Sequence, residues 1–298
     1  MESKVKLLII GGDSFIGSAL ACFFKKAGES VISTTRNKST TCLHRIYLDL
    51  MDEVSDWKFH ESVDTVVFCS GITKVDQCES NKLISKKVNV ESVCKLADIF
   101  VDKGARIIFL SSNAVFDGSK EYYSHEDNVS PITEYGRQKA EVEKQLIINY
   151  PSWVTILRLT KVLGARNPLF DDWSLSLKRG DMIYPFTDMY IAPIPLSFVV
   201  SVIRLVVDRG AKGILHLSGD KDFSYADIAF MAVALLGLKK EQVNPISAGE
   251  TNRFKSSIRT NKTALSTERL KCELGITPPG SIWTIQQAFT NPEVLSGA

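Results

Sequence analysis

Apolar and polar positions along this chain alternate with two different periods. Residues 5–10, VKLLII, are a continuous apolar run that stops at Gly11–Gly12. A run of that length, closed by a turn signal, predicts a strand buried on both faces. From about Ser14 to Lys26 the apolar residues Phe15, Ile16, Ala19, Leu20, Phe23 and Phe24 fall at helical spacing, and Ala27–Gly28 marks the stop. Strands are predicted at 31–35 (VISTT), near 45–48 (RIYL) and at 63–69 (VDTVVFC). A helix is predicted over about 81–102, a strand over 106–111 (RIIFLS), a helix through Tyr135 to about Asn149, and a strand over 153–159 (WVTILRL). Alternating strands and helices imply a parallel sheet covered on both faces.

After Gly164 the character changes. Residues 165–195 are rich in Pro, Asp and aromatics and predict several short elements. ILHLSG at 214–219 reads as a returning strand, 224–238 as an amphipathic helix closed by Gly237, and the stretch after PPG as a last helix. This half is expected to form a smaller domain over the carboxyl edge of the sheet, where ligands of such sheets bind.

Composition narrows the class without defining it. The 298 residues carry 44% hydrophobic and 23% charged positions and a net charge of +2, so no strong field points to nucleic acid or a membrane surface. The six cysteines (Cys22, Cys42, Cys69, Cys78, Cys94, Cys272) show no CxxC pair and no metal-ligand spacing. They are expected to be reduced and mostly packed, as in a cytoplasmic protein without a bound metal. No segment has the apolar length of a membrane span, and the first strand begins too early to leave room for a signal peptide.

Candidate chemistry starts at the first turn. GGDSFIG at 11–17 lies between strand and helix, where a dinucleotide's pyrophosphate meets backbone N–H groups and the positive helix end. Gly11 and Gly17 hold their expected places, and Ser14 stands where a third glycine is usual. Gly11, Asp13, Ser14, Phe15, Ile16 and Gly17 are the expected cofactor residues of this loop. The second strand ends in STTRNK with no acid for a ribose 2′-OH. Arg36 and Lys38 suit a 2′-phosphate instead, which favours NADP over NAD. Asp49, next to Leu50, either meets the adenine or caps a turn. Ser70–Gly71–Ile72, after the fourth predicted strand, either lets backbone approach the cofactor or is a plain tight loop.

Tyr135 is followed four residues later by Lys139, and it alone among the eight tyrosines has a lysine at that spacing. Four residues apart, the two side chains share a helix face. A positive neighbour favours the phenolate and is expected to lower the tyrosine's titration point. Val142 and Leu146 lie on the same face, so Lys139 sits in an apolar stripe. Ser111 and Ser112 lie where RIIFLSS leaves the sheet, and a hydroxyl there can bind a carbonyl oxygen while Tyr135 delivers a proton to it. Lys139 is expected to support Tyr135 and hold the nicotinamide ribose.

These residues together resemble the extended short-chain dehydrogenase/reductase superfamily, and within it the dTDP-4-dehydrorhamnose reductase family. That family ends a strand with Ser-Thr-Asp-Tyr-Val-Phe-Asp-Gly, and this chain reads SSNAVFDG at 111–118. Ser112 takes the place of the catalytic threonine, while Asn113 and Ala114 replace the acid and the tyrosine. SGITKVDQCE at 70–79 is similar to the segment after the family's fourth strand, with Thr73, Val75, Asp76 and Glu79 in place. IRTNKTALST at 258–267 resembles its Arg-Pro stretch, with Arg259 matching and Thr260 in place of the proline. SSNAV is also similar to the run found in sugar-nucleotide 4-epimerases. Asn113 and Ala114 cannot supply the carboxylates of the 4,6-dehydratases, so dehydration is disfavoured.

The resemblance implies a Rossmann-type doubly wound parallel sheet with a smaller mixed α/β C-terminal substrate domain. The expected division is 1–164 with a returning segment near 194–219, against 165–193 and 220–298. It implies Ser112, Tyr135 and Lys139 as the catalytic triad of an NADPH-dependent reduction on a nucleotide-activated 4-keto-6-deoxy sugar, with NAD as the alternative cofactor. Thr73, Asn113 and Arg259 are the expected substrate contacts. Arg166 and Arg253 are further cations for the sugar diphosphate. Two other readings stand beside it: an NAD-dependent nucleotide-sugar 4-epimerase, and an NADP-binding regulatory subunit without turnover. A homodimer is the expected assembly.

Overall fold

The computed structural model describes residues 5–250 and 262–296. The chain divides into two compact units. The first is built from the residues up to Val115, from Val129–Arg158 and from Ile203–Leu215; the second holds Phe116–Asn128, Leu159–Val202 and the residues from His216 onward.

The elements follow in chain order. β1 (Val5–Ile10), α1 (Phe15–Lys26), β2 (Val31–Thr35), β3 (Arg45–Tyr47) and β4 (Val63–Phe68) come first. Then come α2 (Val75–Ser80), α3 (Lys82–Lys86), a π-helical turn over Lys87–Glu91, α4 (Ser92–Asp102), β5 (Arg106–Ser112), α5 (Glu134–Asn149) and β6 (Val154–Leu159). The later chain holds β7 (Val162–Leu163), α6 (Pro168–Arg179), β8 (Tyr190–Ile191), β9 (Ile194–Pro195), α7 (Leu196–Arg209) and β10 (Gly213–Leu217). β11 (Phe223–Ser224), α8 (Tyr225–Leu236), α9 (Glu268–Leu274) and α10 (Ser281–Thr290) complete it.

The main sheet has seven strands in the order β10-β6-β5-β4-β1-β2-β3. The pairings β1–β2, β1–β4, β2–β3 and β4–β5 are all parallel. The order reverses at β1, so the tips of β1 and β4 flank the crevice where doubly wound sheets bind ligands. Leu7, Leu8, Ile9 and Ile10 are each fully buried, as a central strand covered on both faces requires. On one side Leu8, Ile10, Val66 and Phe68 pack with Val93, Leu96 and Phe100 of α4 and Val142 and Leu146 of α5. The expected Rossmann-type sheet is therefore present.

The second unit has its own core. Leu163, Phe170, Trp173, Ile228, Val233 and Ile285 cluster there, and the Phe170 and Phe289 rings stack with centroids 5.0 Å apart. Two small sheets, β11–β8 and β7–β9, accompany its helices. No helix among the described residues is long and apolar enough to cross a membrane.

Several elements differ from the sequence expectation. The helix expected over 81–102 is three pieces, with a π-helical turn in the middle. α7 is a helix of 14 residues that the sequence reading passed over; its Val- and Ile-rich run has strand propensity that packing overrides. Cys22, Cys42 and Cys272 are exposed, so half of the thiols are not packed.

One buried ion pair joins α5 to the sheet. Arg158 Nη2 of β6 lies 2.7 Å from Glu143 Oε2 of α5, with side chains only 3% and 4% exposed. Removing one partner leaves an uncompensated buried charge. Glu143→Leu is expected to lower unfolding stability by about 3–5 kcal/mol in urea titrations. A loss within about 0.5 kcal/mol, the usual range for surface changes, would show that the pair does not anchor α5.

Candidate functional site

Two features bring the loop at 11–17 into a cradle. Gly11 has φ +94°, and a Cβ there would lie 2.6 Å from the Ser70 backbone nitrogen, so β1 and β4 approach at a distance only glycine permits. A Cβ at Gly17 would lie 2.2 Å from the Gly11 carbonyl oxygen, so the loop folds tightly onto the first turn of α1. Ser14 is the N-cap of α1: its hydroxyl accepts from the Gly17 N–H at 3.1 Å. The serine in the place of a glycine thus has a local use. Phe15 and Ile16 form the first turn, with Phe15 exposed.

The β2 tip adds polar groups. Gly11 N–H donates to Thr34 Oγ1 at 2.8 Å, and Thr35 Oγ1 donates to Asp13 Oδ2 at 2.7 Å. Arg45 Nη2 of β3 pairs with Asp13 Oδ1. Arg36 is exposed and makes no ion pair among the described residues. Lys38 is exposed too, with its ammonium 4.6 Å from the Tyr47 ring centroid.

Asp49 accepts from the Met51 N–H at 3.0 Å, so its side chain caps a turn. The Leu50 carbonyl accepts from Ser92 Oγ at 2.6 Å. Ser70 follows β4, and its buried Oγ has no hydrogen-bond partner among the described residues. The Ile72 backbone is held at both ends by Asn89, whose Oδ1 accepts from the Ile72 N–H at 2.8 Å while its Nδ2 donates to the Ile72 carbonyl at 2.9 Å. Gly71 passes close to the same amide: a Cβ would meet Asn89 Oδ1 at 3.0 Å. Thr73 is exposed, two residues before α2.

Ser112, Tyr135 and Lys139 come together at the tip of β5. Ser112 ends that strand, and its hydroxyl lies close enough to the Tyr135 phenol to favour the phenol's ionisation. The Ala114 N–H donates to Ser112 Oγ at 3.2 Å, and Asn113 Oδ1 accepts from the same hydroxyl at 3.3 Å. Ser111 Oγ is buried and has no hydrogen-bond partner among the described residues. α5 is pressed onto this turn at Gly136, where a Cβ would lie 2.1 Å from the Ala114 carbonyl oxygen. Thr133 caps the helix, accepting from the Gly136 N–H at 3.1 Å.

Lys139 is 7% exposed and shares its face with buried Val142 and Leu146, as its apolar stripe predicts. Its ammonium donates to the Leu110 carbonyl at 2.7 Å and stands 4.4 Å from the Phe109 ring centroid and 5.8 Å from that of Tyr135. Burial drives it down to about 8, with the Glu143 carboxylate pulling the other way. Burial pushes the Tyr135 phenol up to about 12, against the neighbouring Ser112 hydroxyl, which favours ionisation. The expected lowering of Tyr135 by Lys139 is therefore not what the protein does. Desolvation outweighs the cation, whose proton is directed at a strand carbonyl.

A buried polar chain ties this helix to the loop after β4. Asn89 Nδ2 donates to Gln138 Oε1 at 2.8 Å, and Gln138 Nε2 donates to Ser85 Oγ at 2.8 Å and to Glu134 Oε1 at 3.2 Å. Asn89 lies in the π-helical turn, a distortion frequent at functional sites. Sequence reasoning passed over Asn89, Gln138, Gly136, Thr35 and Arg45. The available signal was two amides interrupting otherwise packed helix faces. Arg259 and Arg253 lie outside the described residues. Arg166 is exposed in the second unit, between β7 and α6.

A glycine-cradled β1–α1 loop together with a Ser–Tyr–Lys set on β5 and α5 defines the extended short-chain dehydrogenase/reductase class. The chain belongs to the family described as the RmlD substrate binding domain, whose model matches residues 5–291. It is 27% identical over 281 residues to the "Probable low-salt glycan biosynthesis reductase Agl14" of Haloferax volcanii, covering 91% of this chain and 93% of that one. It is 26% identical over 291 residues to the "dTDP-4-keto-6-deoxy-D-glucose reductase" of Streptomyces niveus, covering 95% and 96%. Its fold matches a dTDP-4-dehydrorhamnose reductase of Bacillus anthracis, solved in complex with NADP. The TM-score is 0.81 at 19% identity, covering 97% of this chain and 99% of that one.

The low titration point of Lys139 has a stability consequence. Unfolding returns the amine to its ordinary 10.5, so between pH 8 and 10.5 the unfolded chain binds more protons and stability rises with pH. Below pH 8 the cost of burying the ammonium is fully present. Lys139→Met is expected to stabilise the fold at pH 7 by on the order of 3 kcal/mol. That gain should shrink as the pH climbs from 8 toward 10.5. Thermal melts of both proteins across this range check it; a gap that stays constant with pH would contradict it.

Proposed function

We propose that the chain is an NADPH-dependent reductase of a keto group on a nucleotide-activated 4-keto-6-deoxy sugar. The observation that carries the reading is the convergence of Ser112, Tyr135 and Lys139 at the tip of β5, beside a glycine-cradled dinucleotide loop. Two relatives named as reductases, aligned over more than nine-tenths of this chain, support it.

The residues fit a dinucleotide. Gly11 and Gly17 leave the cradle open, the α1 N-terminus offers N–H groups to a pyrophosphate, and the orphaned Ser70 Oγ offers a donor beside Gly11. Arg36, exposed at the β2 tip, holds the 2′-phosphate of NADP; NAD is the alternative at this site. Asp49 and Leu50 line the adenine side, and Ser70, Gly71 and Ile72 the nicotinamide side. The bound cofactor supplies the hydride.

Tyr135, held near 12, is a phenol and not a phenolate at neutral pH, which suits a proton donor in carbonyl reduction. Its hydroxyl gives a proton to the substrate oxygen. Ser112 Oγ hydrogen-bonds the same oxygen and limits the negative charge that develops there. Lys139 keeps one donor on Leu110 and turns its others toward the cofactor ribose and the phenol. Its positive charge then lowers the barrier to proton loss from Tyr135. Thr73 and Asn113 contact the sugar. The protein works in the cytoplasm, as a homodimer.

The rival readings have less support. A 4-epimerase keeps NAD tightly, whereas the β2 tip carries Arg36 in place of an acid. A regulatory subunit without turnover has no need of a Ser–Tyr–Lys convergence.

Tyr135→Phe is expected to lower NADPH oxidation with dTDP-linked 4-keto sugars by about 10²–10⁴-fold or more while coenzyme binding survives. A near-normal rate would remove the proposed proton donor. Arg36→Ala is expected to weaken NADPH binding by about 10-fold or more and NADH binding by much less, in fluorescence titrations. Equal losses would refute the 2′-phosphate assignment.

A further inference from the structure

NAD-binding folds keep an acid at the tip of the second strand to hold the ribose 2′-OH, and this chain has none in that segment. Space supplies what the strand lacks. Asp13, from the glycine loop, accepts from Oγ1 of Thr35, the last residue of β2, at 2.7 Å. Its second oxygen is paired with Arg45 Nη2, from the neighbouring β3. The two side chains are about half exposed, 42% for Asp13 and 40% for Arg45, so both can meet a ligand. Arg36 follows Thr35 directly and makes no ion pair among the described residues. One corner therefore holds a carboxylate, a cation that neutralises it, and a second cation that is open.

We propose that Asp13 is the coenzyme-discriminating residue, and that Arg45 sets how strongly it discriminates. The proposal rests on the coenzyme reading above. A ribose 2′-OH is a hydrogen-bond donor, and a carboxylate accepts from it with a charge-assisted bond. A 2′-phosphate brings negative charge beside the same carboxylate, which costs binding unless a cation screens the pair. Arg45 screens it, and with 40% of its side chain exposed the guanidinium keeps donor capacity beyond the bond from Nη2 to Asp13. The outcome is a site that takes NADH through Asp13 and NADPH through Arg36. The sequence segment at β2 alone indicates only the second.

The test is direct titration of the full chain with NADPH and with NADH, read by nicotinamide fluorescence. No sugar is needed, so the identity of the substrate does not enter. Asp13→Asn is expected to weaken NADH about tenfold while leaving NADPH equal or tighter, a loss typical of one charge-assisted hydrogen bond. Arg45→Met is expected to weaken NADPH about tenfold and NADH less than about threefold. The double variant should recover most of the NADPH affinity that Arg45→Met loses. A loop-holding role for the pair would weaken both coenzymes together and give no recovery in the double variant, and that result overturns the proposal. So does an unchanged NADPH-to-NADH ratio in Asp13→Asn. If the wild type binds neither coenzyme, the coenzyme reading itself falls, and this proposal falls with it.

Discussion

The structure depends on how closely helix α5 can lie against the end of β5. Contact at Gly136 is tighter than any side chain allows, since a single added carbon would sit well inside van der Waals contact distance of the Ala114 carbonyl oxygen. That closeness brings the Tyr135 hydroxyl near Ser112 and sends the Lys139 ammonium into a pocket of apolar atoms, where the Leu110 carbonyl receives it. The approach is held from three directions. Thr133 caps the helix start, Glu143 and Arg158 pair beneath it, and Gln138 joins the amide chain that runs to Ile72.

Each of these anchors carries polar or charged atoms away from water, and their cost is met only because partners are in place. Asn89 satisfies both polar groups of the Ile72 peptide and still reaches Gln138. Lys139 is different. It is an ammonium in an apolar setting with one carbonyl partner, and it lies well below its ordinary titration range. Such a residue weakens the fold at neutral pH. Strain of this kind at one helix face, amid otherwise consistent packing, is a mark of a site kept for chemistry.

Much of this was readable in the sequence. VKLLII, the glycine loop, the strand ends at Ser70 and Ser112, and the Tyr135–Lys139 spacing each carry a local signal, because strand burial and helical period depend on neighbours in the chain. The parts that escaped depend on residues far apart. Asp13 meets Arg45 across 32 residues and Asn89 meets Gln138 across 49, and no local period links them. α7 escaped for another reason: LSFVVSVIRLVV has a strand-like composition, and tertiary packing makes it helical. The direction of the Lys139 proton was also beyond reach, since spacing places the lysine near Tyr135 but does not say which acceptor it prefers.

The π-helical turn at Lys87–Glu91 holds one residue more than a regular turn, and so takes up that residue while the helical segments before and after it keep their faces. Deleting one residue there would restore an ordinary helix without turning the segments on either side. Asn89 would leave the Ile72 peptide, while the packed stripe of Val93, Leu96 and Phe100 would keep its place. Length variation at this position among related chains should therefore track whether an amide reaches the loop after β4, and can serve as a marker for aligning them.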